Sequence, residues 1–251
     1  MKIAYAVTPD DREMAQAHAR ALAARGHDVQ LIDGPADGFD LVVGRDVALD
    51  RIFTIGRIID DEFFRTKNPA ENEPMRVLLA GASQSEAKGV GEGYGAAAHA
   101  RWFHQKFDLI RASPWAPSRE EPLDDVQEFH VALDTHEMRR LIHTCDVFIG
   151  PGHADAAFDF ATAAAMAAGV PAVLTSTPVN LSFDAVPDYA LFAPAENAIE
   201  LGEKLIEILG DYELRDRLRV RERTVAEQWR AERVIDRLEA FFVEQLAARQ
   251  R

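Results

Sequence analysis

Apolar and polar residues alternate along the chain in blocks that predict strands and helices in turn. Lys2 to Val7 is a short apolar run, followed by a polar loop and then by Met14, Ala17, Ala21 and Ala24 at helical spacing. Gly26 follows as a left-handed helix stop, and Val29 to Ile32 and Leu41 to Val43 are further apolar runs. The opening therefore reads as a βαβ or βαββ piece. Arg51 to Phe64 predicts an extended segment, and the polar stretch from Thr66 to Pro74, with two prolines, has the composition of a linker. These blocks predict a shortened amino-terminal α/β piece over 1–65, a linker over 66–75 and a second domain over 76–251.

The second series opens on Arg76 to Ala80, a strand that runs into the loop Gly81 to Gly89, and a lysine in such a loop suggests an anion site. Phe107 to Ala112 and Gln127 to Val131 predict further strands. Asp134 and Glu137 form a capping box for a helix carrying Met138, Leu141, Ile142 and Cys145. Asp146 to Gly150 reads as a buried strand, Phe158 to Ala168 as an alanine-rich helix ended by Gly169, and Pro171 to Thr175 as another buried strand. Ala198, Leu201, Leu205 and Ile208 mark a helix that stops at Gly210, and Leu214 through Trp229 to Leu246 reads as a long, interrupted helical tail. Strands alternating with helices predict parallel topology and an α/β fold.

Composition narrows the functions available to such a fold. Forty-two acidic against 28 basic residues give a formal net charge of -14, so the molecule as a whole repels nucleic acid and anionic membranes, and any phosphate binding must be local. One cysteine, Cys145, forms neither an internal disulfide nor a multi-cysteine zinc site, and it occupies an apolar position where packing explains it. No secretory signal pattern precedes the first strand, so the expected compartment is the cytoplasm. The most apolar stretch, Phe158 to Leu174, is interrupted by Asp159, Gly169 and Pro171 and is too short to span a bilayer. The eight histidines lack metal-ligand spacing, and no metal site is predicted.

Five segments then follow in a recognisable order and spacing: Val77 to Gly81, Lys88-Gly89, Cys145 to Pro151, the run Ala165-Met166-Ala167-Ala168-Gly169-Val170-Pro171-Ala172-Val173, and Tyr189 to Pro194. Together they resemble the nucleotide-sugar-binding half of retaining GT-B glycosyltransferases, in the large family that includes many bacterial mannosyl- and glucosyltransferases. The resemblance covers about residues 75 to 245. Met1 to Val7, Ala23 to Val29 and Phe39 to Val42 resemble the opening of that family's amino-terminal domain. Gly56 to Phe64 resembles the exit from it, so most of the domain that supplies the acceptor cleft is missing. The fold implied is GT-B-like, with a Rossmann-like carboxyl-terminal domain and a reduced amino-terminal domain.

The chain departs from the family pattern at the chemistry. The positions of the usual glutamate pair that contacts sugar and ribose are Ala156 and Ala164, and a methyl group accepts no hydrogen bonds from hydroxyls. Thr8-Pro9-Asp10-Asp11-Arg12 replaces the glycine-rich amino-terminal loop, and the arginine before the lysine is missing. What survives is Lys88, which by resemblance neutralises the leaving diphosphate beside Gly81 and Gly89, and the helix beginning near Ala157, whose amides would point at the same anion. The alternative for Lys88 is a solvated surface lysine. Gly89, Gly91, Gly93 and Gly95 read as a mobile loop or a phosphate cradle, and they form neither a dinucleotide fingerprint nor a P-loop.

His153 and Asp155 follow a strand at its carboxyl end and either contact a sugar hydroxyl or form a polar loop. Thr175, Ser176 and Thr177 either donate to a ligand or cap the next turn. Trp229 and Phe241-Phe242 pack the carboxyl-terminal helix, which in the family returns to the first domain. The functions implied are glycosyl transfer from a nucleotide diphosphate sugar, with retention and without a cofactor or metal, or a non-catalytic binding module. A homodimer or a partner protein would complete the acceptor cleft of the transferase, and the binding module would work as a homodimer or beside an intact transferase. A dinucleotide-dependent enzyme is the weaker third option, because the glycine fingerprint is missing. If the register is right, restoring glutamate at Ala156 and Ala164 together should tighten donor binding, which a titration of the double variant checks.

Overall fold

The computed structural model describes residues 1–6, 12–32, 38–44, 58–65, 71–156 and 158–249. They divide into two compact units, one of Met1–Asp61 with Glu227–Arg251 and one of Glu62–Ala226. The first unit holds β1 (Lys2–Ala6), α1 (Arg12–Ala24), β2 (Asp28–Ile32) and β3 (Leu41–Val43) in a parallel sheet of order β2-β1-β3. Gly26, at φ 87°, turns the chain out of α1 as its position after the apolar stripe predicts. The expected loop at Thr8 to Asp11 lies outside the described residues, as does 51–57 of the segment expected to be extended. The described end of that segment is a bridge from Ile59 to Arg230 and a 3-10 turn, Asp61–Phe64.

One boundary differs from the sequence reading. The tail does not stay with the second domain, because its last helix, α8 (Ala231–Arg249), completes the core of the first. Val234, Ile235, Leu238 and Phe242 pack with Ile3, Tyr5, Leu22, Leu41 and Val43. A three-stranded sheet has too little apolar surface of its own, and this helix covers it. Arg25 at the end of α1 donates to Asp236 (2.6 Å) and Glu239 (2.9 Å) of α8, and His27 lies 2.8 Å from Glu239. Such exposed pairs fix orientation more than they stabilise.

The second unit carries β4 (Met75–Ala80), α2 (Val90–Trp102), β5 (Phe107–Ser113), β6 (Val126–Val131), α3 (Thr135–Ile142), β7 (Val147–Gly150), α4 (Phe160–Ala168), β8 (Ala172–Thr175), the single turn α5 (Pro178–Leu181), β9 (Leu191–Ala193), α6 (Ala198–Gly210) and α7 (Tyr212–Ala226). Its strands are all parallel in the order β6-β5-β4-β7-β8-β9, the doubly wound arrangement with its switch between β4 and β7. Central strands are buried on both faces, which is why Val77-Leu78-Leu79-Ala80 and Val147-Phe148-Ile149-Gly150 read as continuous apolar runs. The predicted capping box is present, with Asp134 accepting from Glu137 N at 2.7 Å and Glu137 accepting from Asp134 N at 3.0 Å. Cys145 falls beyond α3, buried, and burial pushes its thiol up to about 12.

Of the expected linker, 66–70 lies outside the described residues. Its remainder is fastened to the second unit: Glu71 pairs with Arg215 (2.8 Å), and Asn72 donates to Asp146 (2.8 Å). The expected flexible glycines are not a loop. Val90 to Trp102 is helix α2, and a Cβ on Gly93 would meet Leu79 Cδ1 at 2.6 Å, while one on Gly95 would meet Ala198 at 2.8 Å. These glycines let α2 lie close on β4 and α6, which is a packing role. Among the described residues no helix is long and apolar enough to cross a membrane.

His18 of α1 is fully buried, and neither ring nitrogen has a hydrogen-bond partner among the described residues. Burial disfavours the charged ring and brings its pKa from 6.5 down to about 4. The unfolded chain therefore binds the proton more readily, so this contribution to stability is complete above 6.5 and is lost as the pH falls towards 4. Thermal unfolding over that range should show an acid destabilisation of about 3 kcal/mol from this site. His18→Phe should flatten the slope, and an unchanged slope in the variant would refute the assignment.

Candidate functional site

The carboxyl ends of β4 and β7 meet at the sheet's switch point, where open parallel sheets leave a crevice because successive connections run to opposite sides. Gly81, at φ 134°, carries the chain out of β4 into a loop that closes in a 3-10 turn, Glu86–Lys88. Gly89 then adopts the left-handed conformation, φ 59° and ψ 28°, and starts α2. A Cβ there would lie 1.9 Å from the Pro151 carbonyl oxygen, so only glycine lets the two strand exits touch. His153 N donates to the Ala87 carbonyl at 3.0 Å and ties the same exits from the other side.

A second set of contacts holds the loop from behind. Arg111, on β5 and fully buried, donates to the carbonyls of Leu79 (2.7 Å) and Gly81 (3.0 Å) and to Glu121 Oε1 (2.8 Å). Glu121 also accepts from Ser83 (2.7 Å) and from Tyr94 (2.8 Å). Burial works to raise the Glu121 carboxyl, but the bonds from Ser83, Arg111 and Tyr94 outweigh it and hold the group below its usual range. A buried charge with every donor used is expensive to assemble and specific once assembled. The sequence reading passed over this network. Its signal was a lone arginine inside the apolar strand Phe107–Ser113, a position that demands a carboxylate partner.

Lys88 lines the crevice, and it has a partner there. Its Nζ lies 2.6 Å from Oδ1 of Asp159, and the two side chains are 36% and 24% exposed. Asp159 is the N-cap of α4, its Oδ2 accepting from Thr162 N and Thr162 Oγ1, both at 2.8 Å. Burial works to raise the Asp159 carboxyl, and the charge and bonds of Lys88 and the bonds from Thr162 overcome it and hold the group ionised below its ordinary range. The sequence reading took Asp159 only as an interruption of an apolar stretch. Asp-x-x-Thr ahead of an alanine-rich helix was the available cue.

The remaining candidates separate. His153 lies beside Gly89, its Nε2 3.1 Å from Glu92 Oε2 but without a hydrogen-bond partner among the described residues, and Asp155 is exposed. Ala156 lies in the small cavity between Lys88, Asp159, Pro151 and Asn180, a space of about 20 Å³, room for roughly one water molecule. Ala157 lies outside the described residues. The helix expected from near that residue starts at Phe160 instead, because Asp159 supplies the cap. Ala164 has no exposed surface, so a glutamate there would bring a desolvated carboxylate into packed protein. Ala156→Glu alone is thus the informative restoration.

Thr175 is buried, its hydroxyl donating to the Gly152 carbonyl at 2.5 Å, while Ser176 is exposed. Thr177 caps α5 by accepting from Asn180 N at 3.1 Å. The capping alternative therefore holds for Thr177. Among the described residues no group of three His, Cys, Asp or Glu side chains is placed to hold a metal ion.

Known proteins share this fold. Residues 116–225 match the family of glycosyl transferases group 1. The fold is mixed α/β with parallel Rossmann-like sheets, as in glycosyltransferases of the GT-B type. The C-terminal domain of a glycosyl transferase group 1 family protein (LpcC) from Francisella tularensis is similar over 68% of this chain and 97% of its own, at 13% identity and a TM-score of 0.54. A glycosyltransferase from Rickettsia africae is similar over 98% of this chain and 77% of its own, at 12% identity and a TM-score of 0.62. Anabaena HepE, solved in complex with UDP-glucose, is similar over 77% of this chain and 56% of its own, at 14% identity and a TM-score of 0.60. No curated protein matches the chain.

Two neighbouring glycines separate the roles of space and conformation. Gly89→Ala forces a clash with backbone and a strained φ, and should lower stability by about 3 kcal/mol. Gly91, which has nothing within 4 Å of a Cβ, should gain about 0.5–1 kcal/mol on mutation to Ala in its helix. Denaturant titration of both variants checks the pair, and equal effects would contradict the geometry.

Proposed function

We propose that the second unit is the donor half of a glycosyltransferase and binds a nucleotide diphosphate sugar at the β4–β7 switch point. The observation that carries this reading is the position of Lys88, held by the Gly81–Gly89 loop at the carboxyl end of the central strand. A cation there offsets the negative charge that develops on a departing diphosphate. Gly152 borders the small cavity beside Lys88, and His153 and Ser176 are the side chains proposed to reach the sugar and its phosphates. Transfer with retention of configuration, the leaving phosphate taking the acceptor proton, accords with the resemblance to retaining enzymes and requires no cofactor. The acceptor cleft is completed by a second copy or a partner protein, and the cytoplasm is the compartment.

A second reading is favoured by specific residues. Ala156 and Ala164 offer no carboxylates to the donor, and Lys88 is already paired with Asp159. These features suit a protein that binds without turning over and works as an interaction module. The two readings diverge in one assay, the hydrolysis of nucleotide sugar by the protein against its Lys88→Ala variant. A rate above the variant's would end the non-catalytic reading.

Binding itself is tested by thermal shift with UDP, GDP, ADP, dTDP and their sugar conjugates, starting from UDP-glucose, the ligand of the HepE complex. A ligand at about ten times its dissociation constant stabilises by about 1.4 kcal/mol, so millimolar concentrations suffice for a weak site. We expect one nucleotide series to raise the melting temperature, and Lys88→Ala to abolish the rise. Stabilisation that persists in the variant would place the ligand elsewhere.

A further inference from the structure

The lysine proposed to hold the donor is already paired with a carboxylate of its own unit. Lys88 Nζ is 2.6 Å from Asp159 Oδ1, so the lysine that lines the crevice has an acidic neighbour from the same unit. Asp159 does more than pair with the lysine. Its second oxygen takes the Thr162 amide at the start of α4, one of the groups that a helix N-terminus offers to an anion. The space left beside it, about 20 Å³, holds one water molecule and no phosphate.

We propose that Asp159 is the specificity-determining residue of this site: its carboxylate is a resident anion that a diphosphate must displace from Lys88 and from the α4 N-terminus in order to bind. The inference rests on the donor-site reading above. A diphosphate brought against Lys88 while Asp159 stays in place meets a full negative charge a few ångströms away in a partly buried setting, where such repulsion is poorly screened. The site as built therefore disfavours polyanions. Its affinity for a nucleotide sugar is set by how readily one side chain gives up its lysine and its cap.

Asp159→Asn tests this with little risk to the fold, since asparagine caps helices as well as aspartate and is nearly isosteric. Wild type, Asp159→Asn, Lys88→Ala and the double variant are titrated calorimetrically with UDP and UDP-glucose up to roughly 10 mM, with melting curves confirming that each is folded. The expected result is that Asp159→Asn binds at least about tenfold tighter than wild type and that the double variant loses the gain. Equal affinities of wild type and Asp159→Asn, with Lys88→Ala weaker than both, would overturn the inference and leave the donor site standing. A gain that persists in the double variant would also overturn it, because the anion would then not lie on Lys88. No binding by any folded variant would remove the donor-site reading and the inference together.

Discussion

The touching of two strand exits at Gly89 and Pro151 is the constraint from which the rest of the second unit's site follows. Parallel strands of a doubly wound sheet necessarily leave a gap at the switch point, and the gap becomes a site only if the loops at its rim are fixed. Here the β4 exit has no Cβ at the point of closest approach, so its backbone lies directly on the Pro151 carbonyl. Arg111 supports the same loop from beneath through the Leu79 and Gly81 carbonyls, and Glu121 extends that support to Ser83. The rigidity of the lysine loop is thus a property of backbone contacts and one buried ion pair.

Charge balance gives this crevice its character. With a net charge of -14, the chain could concentrate positive potential only by local design, and in the crevice it does the opposite. Lys88 is matched by Asp159. Asp159 satisfies a lysine and a helix terminus at once. The same side chain explains why α4 begins at Phe160, later than its apolar pattern alone would place it.

The first unit shows how a small sheet is made stable by sequence from far away. Three short parallel strands and α1 leave one face short of apolar cover, and the final helix of the chain supplies it. Phe242 is buried in consequence, while the ion pairs of Arg25 set the helix in register. His18 is the cost within this core, a polar ring held neutral by burial.

Local patterning made most of the elements legible. Continuous apolar runs marked the buried parallel strands, Asp134 and Glu137 announced their capping box, and Gly26 and Gly169 ended helices because only a left-handed turn leaves a helix so abruptly. The α/β class and the candidate Lys88 followed from such short-range signals. Partnership was decided only in three dimensions. That Lys88 meets Asp159, that Arg111 meets Glu121, and that residues 227–251 join the first unit depend on contacts across the fold, which periodicity and capping rules do not encode. A sequence fixes which residues can carry a charge or fill a core, whereas the tertiary structure selects, by burial and distance, the partner that each of them meets.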